Sequence, residues 1–280
     1  MQPGGPERVR SLYALLLSIA LLGLGLSLGG CALSSDAPVS PFLPADSIAT
    51  EETSRDSALA VLTDMERAAF DSAFATLDTH SVSRRLHTEQ RSPAGSVSAS
   101  RTYTVRYPPA PDRGVIQDRD STGSFRDGGL LSSLSASGDP TERPQDIAPQ
   151  ALSDPPAYIA PRTREAFRYA LHRDTVSDGT PVLVVRAQAR DDNGPGRDQG
   201  VRFARLTLLP DTRELVALTV VRAERTLLFH EDSRLTVRLR PAPDADAWVP
   251  ALVRSRVHVD VPFRAPRQFH TVSRYDDYAR

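Results

Sequence analysis

Val253-Arg254-Ser255-Arg256-Val257-His258-Val259-Asp260-Val261 alternates apolar or small residues with charged ones without a break. A two-residue period of this kind places the valines on one face of a β-strand and Arg254, Arg256, His258 and Asp260 on the other, so the strand has one dry side and one wet side. The run before it repeats the design: Leu235, Val237 and Leu239 alternate with Arg234, Thr236, Arg238 and Arg240, and a turn over 242–246 joins the two. A final strand follows over about 268–278. Moving upstream, 201–209 and 214–222 form a hairpin around Pro210-Asp211-Thr212, and 226–229 lead into the Leu235 strand. Leu183, Val185, Ala187 and Ala189 mark a strand over 181–190, which a polar, glycine-rich loop (191–200) follows. Phe167, Tyr169 and Leu171 share one face of the strand before it, and Ser177-Asp178-Gly179 supplies the turn. Six or seven long strands linked by short turns predict an antiparallel meander with one solvated face.

The apolar face needs a cover, and the candidate lies upstream. Leu59, Leu62, Met65, Ala69, Phe70, Phe74 and Leu77 recur at three- and four-residue spacing, with Asp64, Glu66, Arg67 and Asp71 between them. This predicts one amphipathic helix over 56–77, capped by Asp56 or Ser57. Val82 and Leu86 weakly mark a strand over 81–89. Tyr103, Val105 and Tyr107 mark a better one over 97–107. Between 108 and 164 the chain carries Pro-Pro-Ala-Pro, Asp-Gly-Gly and a serine-rich run, an irregular insertion that reads as either a functional loop or disorder, with Phe125, Leu130, Leu131 and Leu134 as a short docking piece.

The N-terminus carries a separate message. Arg8 and Arg10 precede an apolar run from Leu12 to Leu28, which ends in Leu28-Gly29-Gly30-Cys31. Positive residues, an apolar stretch and a small-residue cleavage site describe an export signal, left out of any fold argument. The last four residues resemble the lipobox of bacterial lipoproteins. That resemblance implies cleavage after Gly30, giving a signal peptide over 1–30, and lipidation of Cys31, the chain's single cysteine. An uncut signal anchor is the competing reading, against which Gly23, Gly25, Gly29 and Gly30 weaken the helix. Residue 32 is Ala, not the aspartate that retains enterobacterial lipoproteins at the inner membrane, so the analogy points to the outer membrane facing the periplasm. Residues 31–55, rich in Ser, Pro, Ala and Asp, read as a flexible tether, with one domain over 56–280.

Composition narrows the chemistry. Glu7, Arg8 and Arg10 carry one net positive charge, so their removal takes the formal charge from −1 to −2 and leaves no field favouring nucleic acid. The 34 basic residues are all Arg. With its thiol committed to lipid, the mature chain forms no disulfide, thiolate zinc site or thiol nucleophile. His80, His87, His172, His230, His258 and His270 are spread over separate elements and read as isolated surface histidines. Glu231-Asp232 and Asp276-Asp277 are neighbours whose side chains point to opposite faces of a strand, not acid and base partners. Asn193-Gly194-Pro195-Gly196 lacks the following helix that a phosphate loop needs. No catalytic constellation, metal site or cofactor is expected, and the chain reads as a binding protein rather than an enzyme.

The order of elements, Trp248-Val249-Pro250 opening a long strand and the closing Tyr275–Tyr278 segment resemble the lipoprotein-sorting family of the LolA and LolB type. The resemblance implies an α+β, mainly antiparallel fold: a strongly curved half-barrel of about 7–10 strands with an N-terminal helix on its concave face. It also implies an acyl chain or a lipoprotein's lipid as ligand. The candidate ligand-contacting face is then Phe70, Phe74, Tyr103, Val105, Phe167, Tyr169, Leu171, Trp248, Val257 and Val259, residues that core packing explains equally. A structural or assembly lipoprotein with a filled core, acting as a scaffold for a protein partner, is the alternative. The long insertion at 108–164 departs from the family pattern.

Overall fold

The chain divides into two compact units, Met1–Pro38 and Val39–Arg280. The computed structural model describes residues 40–44, 52–125, 139–142, 156–177, 179–190, 199–225, 230–242, 247–261 and 263–279, all in the second unit. Cys31 and the signal peptide lie outside the described residues, as do 226–229 and most of the 126–155 part of the insertion.

Ten strands form one antiparallel sheet: β1 (Ser81–Arg91), β2 (Val97–Tyr107), β3 (Val115–Gly123), β4 (Phe167–Ser177), β5 (Thr180–Ala189), β6 (Gln199–Leu208), β7 (Leu215–Arg225), β8 (His230–Pro241), β9 (Trp248–Asp260) and β10 (Arg267–Ala279). Their spatial order is β3-β2-β1-β10-β9-β8-β7-β6-β5-β4, so β4 to β10 meander and β10 then pairs with β1. The sheet is not closed. Its edges are β3 and β4, and β3 is exposed along its whole length. Asp118, Arg119 and Asp120 put charge on that edge, which discourages pairing with another chain.

Among the described residues two helices lie on one face. The stripe expected as a single helix over 56–77 is broken into α1 (Glu52–Thr63) and α2 (Ala68–Thr79). The break has a tertiary cause. Glu66 donates its N–H to the Arg213 carbonyl and accepts from Leu215 N, both at 3.0 Å, which fastens the chain to the turn between β6 and β7 instead of to its own helix. The Glu66 side chain then accepts from Ala68 N at 2.8 Å, satisfying one of the first N–H groups of α2. Arg213 adopts φ 60° in that turn.

The main contacts of α1 are with β4 and β5, and those of α2 with β9, β7 and β1. Phe70 and Phe74 of α2 meet edge-to-face at 6.3 Å, and with Leu77 they join Val82, Leu206, Leu218, Val237 and Val249 in the core. No described helix is long and apolar enough to cross a membrane.

Two further expectations are corrected. The stretch 108–164 is not irregular throughout, because β3 lies inside it, and 156–163 form a turn that buries Tyr158 against Phe167 at 6.2 Å. Residues 40–44, expected to be part of the tether, form a turn whose Phe42 packs on Phe203 and Val221, on the sheet face opposite the helices.

A bulge near the end of β10 explains the closing motif. Asp277 takes φ 52°, which re-aims the strand so that Tyr278 is buried like Tyr275. The Tyr278 hydroxyl donates to the Pro250 carbonyl at 2.6 Å, fixing β10 to the start of β9.

Candidate functional site: the face that carries the helices

Register assigns each strand's side chains to a face. Leu86 of β1 stands opposite Tyr103 of β2 and Ser273 of β10, and Ser273 stands opposite Val253 of β9. Leu86, Tyr103 and Val253 belong to the core cluster beneath the helices, so their rows define the helix-bearing face. On this face the strands continue past the cluster. Thr88, Thr271 and Ser255 form the next row, Gln90, Phe269 and Val257 the one after, and Val259 stands opposite Arg267. Phe269 and Val259 are buried, yet neither they nor Val257 belongs to the cluster packed by α1 and α2.

Of the ten sequence-predicted residues, Phe70, Phe74, Tyr103, Val105, Phe167 and Tyr169 are buried members of the core, and Leu171 and Trp248 pack against it. They are spread along the sheet. Phe167, Tyr169 and Leu171 lie on the edge strand β4 beside α1, eight strand positions from Tyr103 and Val105 on β2, roughly 40 Å along the sheet at ~4.8 Å per strand. Val257 and Val259 fall in the stretch beyond the helices. The sequence reading missed Phe269, because its same-face neighbours Thr271 and Ser273 dilute the apolar period.

One cation stands at the other end of these rows. Arg84 of β1 donates to Ser273 Oγ at 3.0 and 3.2 Å and to Tyr107 Oη at 3.3 Å, with its guanidinium 5.7 Å from the Tyr275 ring centre. Among the described residues no carboxylate pairs with it. Arg84 and Gln90 are three rows apart, ~20 Å along the strand. Tyr107 Oη in turn donates to the Pro140 carbonyl at 2.5 Å, and burial pushes the Tyr275 hydroxyl above its ordinary pKa. On the edge strand, burial pushes Tyr169 up to about 12, and its hydroxyl donates to the Tyr158 and Arg164 carbonyls at 2.7 and 2.9 Å.

A carboxylate pair lies at the far end of β7 and β8. Glu224 stands directly opposite Glu231. Burial first, then Glu224 and Asp232, push the Glu231 carboxyl above its ordinary pKa, and among the described residues its Oε2 has no hydrogen-bond partner. A folded-state pKa above the unfolded value favours folding while the proton is bound, and that contribution is lost as pH rises through the folded pKa. Glu231→Gln is therefore expected to melt at a higher temperature than the parent at pH 7 to 8, with the difference closing as pH falls below the ordinary glutamate pKa of about 4.3. A variant that melts lower at pH 8 contradicts this assignment.

The histidines are not all surface residues. His80 is 2% exposed, with Nδ1 at 3.1 Å from the Thr76 carbonyl oxygen and 2.9 Å from Thr79 Oγ1, where it closes α2. His87 bridges Thr102 Oγ1 and Glu89. Among the described residues no three His, Cys, Asp or Glu side chains gather as a metal site.

These features define an open antiparallel sheet with two helices over part of one face. Solved structures similar to this chain include a DUF1329 family protein from Desulfovibrio piger (11% identity over 80% of this chain and 91% of that one, TM-score 0.26) and an outer membrane lipoprotein-sorting protein domain from Vibrio parahaemolyticus (13% identity, 81% and 92%, TM-score 0.26). No family model and no curated protein matches the chain.

Proposed function

We propose that this chain is a lipid-anchored cell-envelope protein that holds an apolar ligand, an acyl chain or a lipoprotein's lipid, against the helix-bearing face of a sheet curved into a half-barrel. Its task is binding rather than catalysis. Cys31 carries the anchor, and the outer membrane, on its periplasmic side, is the compartment the N-terminal signal favours. The observation that carries the reading is the stretch of Val257, Val259 and Phe269, which faces the helix side but lies outside the helix-packed core.

The second reading, a scaffold lipoprotein with a filled core, is favoured by Phe70 and Phe74, which are 0% and 2% exposed and leave no opening where they pack. A photo-crosslinking residue in place of Phe269, activated in intact envelopes, separates the two. The carrier reading expects adducts with the mass of lipid or of transient lipoprotein clients, whereas one stable protein partner and no lipid adduct supports the scaffold.

A further inference from the structure

The sheet face opposite the helices carries a feature that ligand binding on the first face does not use. We infer that Arg234, Arg254 and Arg256, with Thr236, form a binding site for a phosphate-type oxyanion. Arg234 of β8 stands directly opposite Arg256 of β9, and Thr236 directly opposite Arg254. These four residues line a hollow of about 100 Å³. The Thr236 hydroxyl lies 3.1 Å from that of Thr219, whose other cross-strand neighbour is Arg205, so a further arginine flanks the hollow on the β6 side.

Like charges placed directly opposite on adjacent strands destabilise a sheet. Some arginines of this protein have carboxylate partners: Arg91 bonds Glu89, Arg67 bonds Asp71, and Arg113 pairs with Asp139. Among the described residues, none of Arg205, Arg234, Arg254 and Arg256 has a hydrogen bond or an ion pair. The same-face carboxylates do not neutralise them. Asp232 stands one row away, opposite His258 and Ala223, and Glu89 is occupied by Arg91 and His87. The crowding shows in the charge itself: burial, then Arg256, Arg205 and Arg254, lower the pKa of Arg234.

Three planar guanidinium groups and a hydroxyl around a small hollow match a tetrahedral, multiply charged oxyanion, since guanidinium binds phosphate oxygens in pairs. A carboxylate would satisfy only one of them. The chemistry is a phosphate group, whether of free phosphate or of a phospholipid head.

The test uses the full chain purified in detergent, titrated with inorganic phosphate and, separately, with dihexanoyl phosphatidylglycerol, and followed by calorimetry and thermal melting. The site predicts saturable binding and a rise in melting temperature. A response to inorganic phosphate identifies the free ion as sufficient, and a response to the phospholipid alone identifies the headgroup. The double variant Arg234→Gln/Arg256→Gln is expected to melt above the parent without ligand, because the opposed charges are gone, and to bind at least about tenfold more weakly, as loss of charged hydrogen bonds implies. If the double variant does not fold, Arg254→Gln, at an exposed position, carries the same expectation of weakened binding. No response to either probe, or variants that fold and bind as tightly as the parent, overturns the site.

Discussion

Phe70→Ala is expected to cost about 3–5 kcal/mol of stability, the range for truncating a fully buried phenylalanine. Phe70 is 0% exposed and meets Phe74 edge-to-face at 68°, so the truncation loses both transferred area and an aromatic pair. The two sit on α2, whose main contacts are with β9, β7 and β1, strands that come from both ends of the chain. Removing the ring therefore loosens the joint between the two ends of the sequence, not only one helix. Against a typical total of about 5–15 kcal/mol the loss is large, and Phe74→Ala combined with it should be non-additive because the rings touch. Urea titration followed by far-ultraviolet circular dichroism measures it. A loss under about 1 kcal/mol, the scale of a surface substitution, would mean that α2 is not part of the cooperative core.

Cys31→Ser carries the second large effect, and it rests on the proposed anchor. Each acyl methylene buried in a bilayer contributes about 0.8 kcal/mol, so the two or three chains of a lipoprotein make dissociation negligible, whereas one chain alone holds only marginally. In cells fed an alkyne-bearing fatty acid, the parent protein should take up the label and run at its processed size. The serine variant should take up none and retain residues 1–30, for want of the lipidated cysteine before which the cut is made. Label on the variant at the parental level would remove the anchor from Cys31.

How far the sequence disclosed this molecule follows from where its information is local. The strands from β4 to β10 were readable because each alternates over a long run, as Leu183 to Ala189 and Val253 to Val259 do. The strand β3 was not readable. Its residues are exposed throughout, its apolar residues are confined to Val115 and Ile116, and it sits among prolines and glycines, so no period emerges. The break between α1 and α2 was equally hidden, since Asp64 to Arg67 contain no glycine or proline and the interruption comes from hydrogen bonds to Arg213 and Leu215, about 150 residues away in sequence. The pairing of β1 with β10 is a long-range choice of the same sort.

The candidate site was legible only in part. Alternation assigned Val257 and Val259 to the apolar face, but which apolar residues the helices cover depends on helix placement, and so Phe167 and Tyr169 were grouped with residues at the other end of the sheet. On the other face, Arg234 and Arg256 looked like ordinary solvated charges until register set them opposite each other.

An apolar ligand held on the helix-bearing face beyond the helices should survive gentle purification. Native mass spectrometry of residues 32–280, exported behind a cleavable signal that adds no lipid and purified from the envelope compartment without detergent, distinguishes the outcomes. A population heavier than the polypeptide by the mass of one acyl lipid, released on collisional activation, is the expected result. A spectrum containing the bare polypeptide alone, unchanged after incubation with lipid, would contradict it.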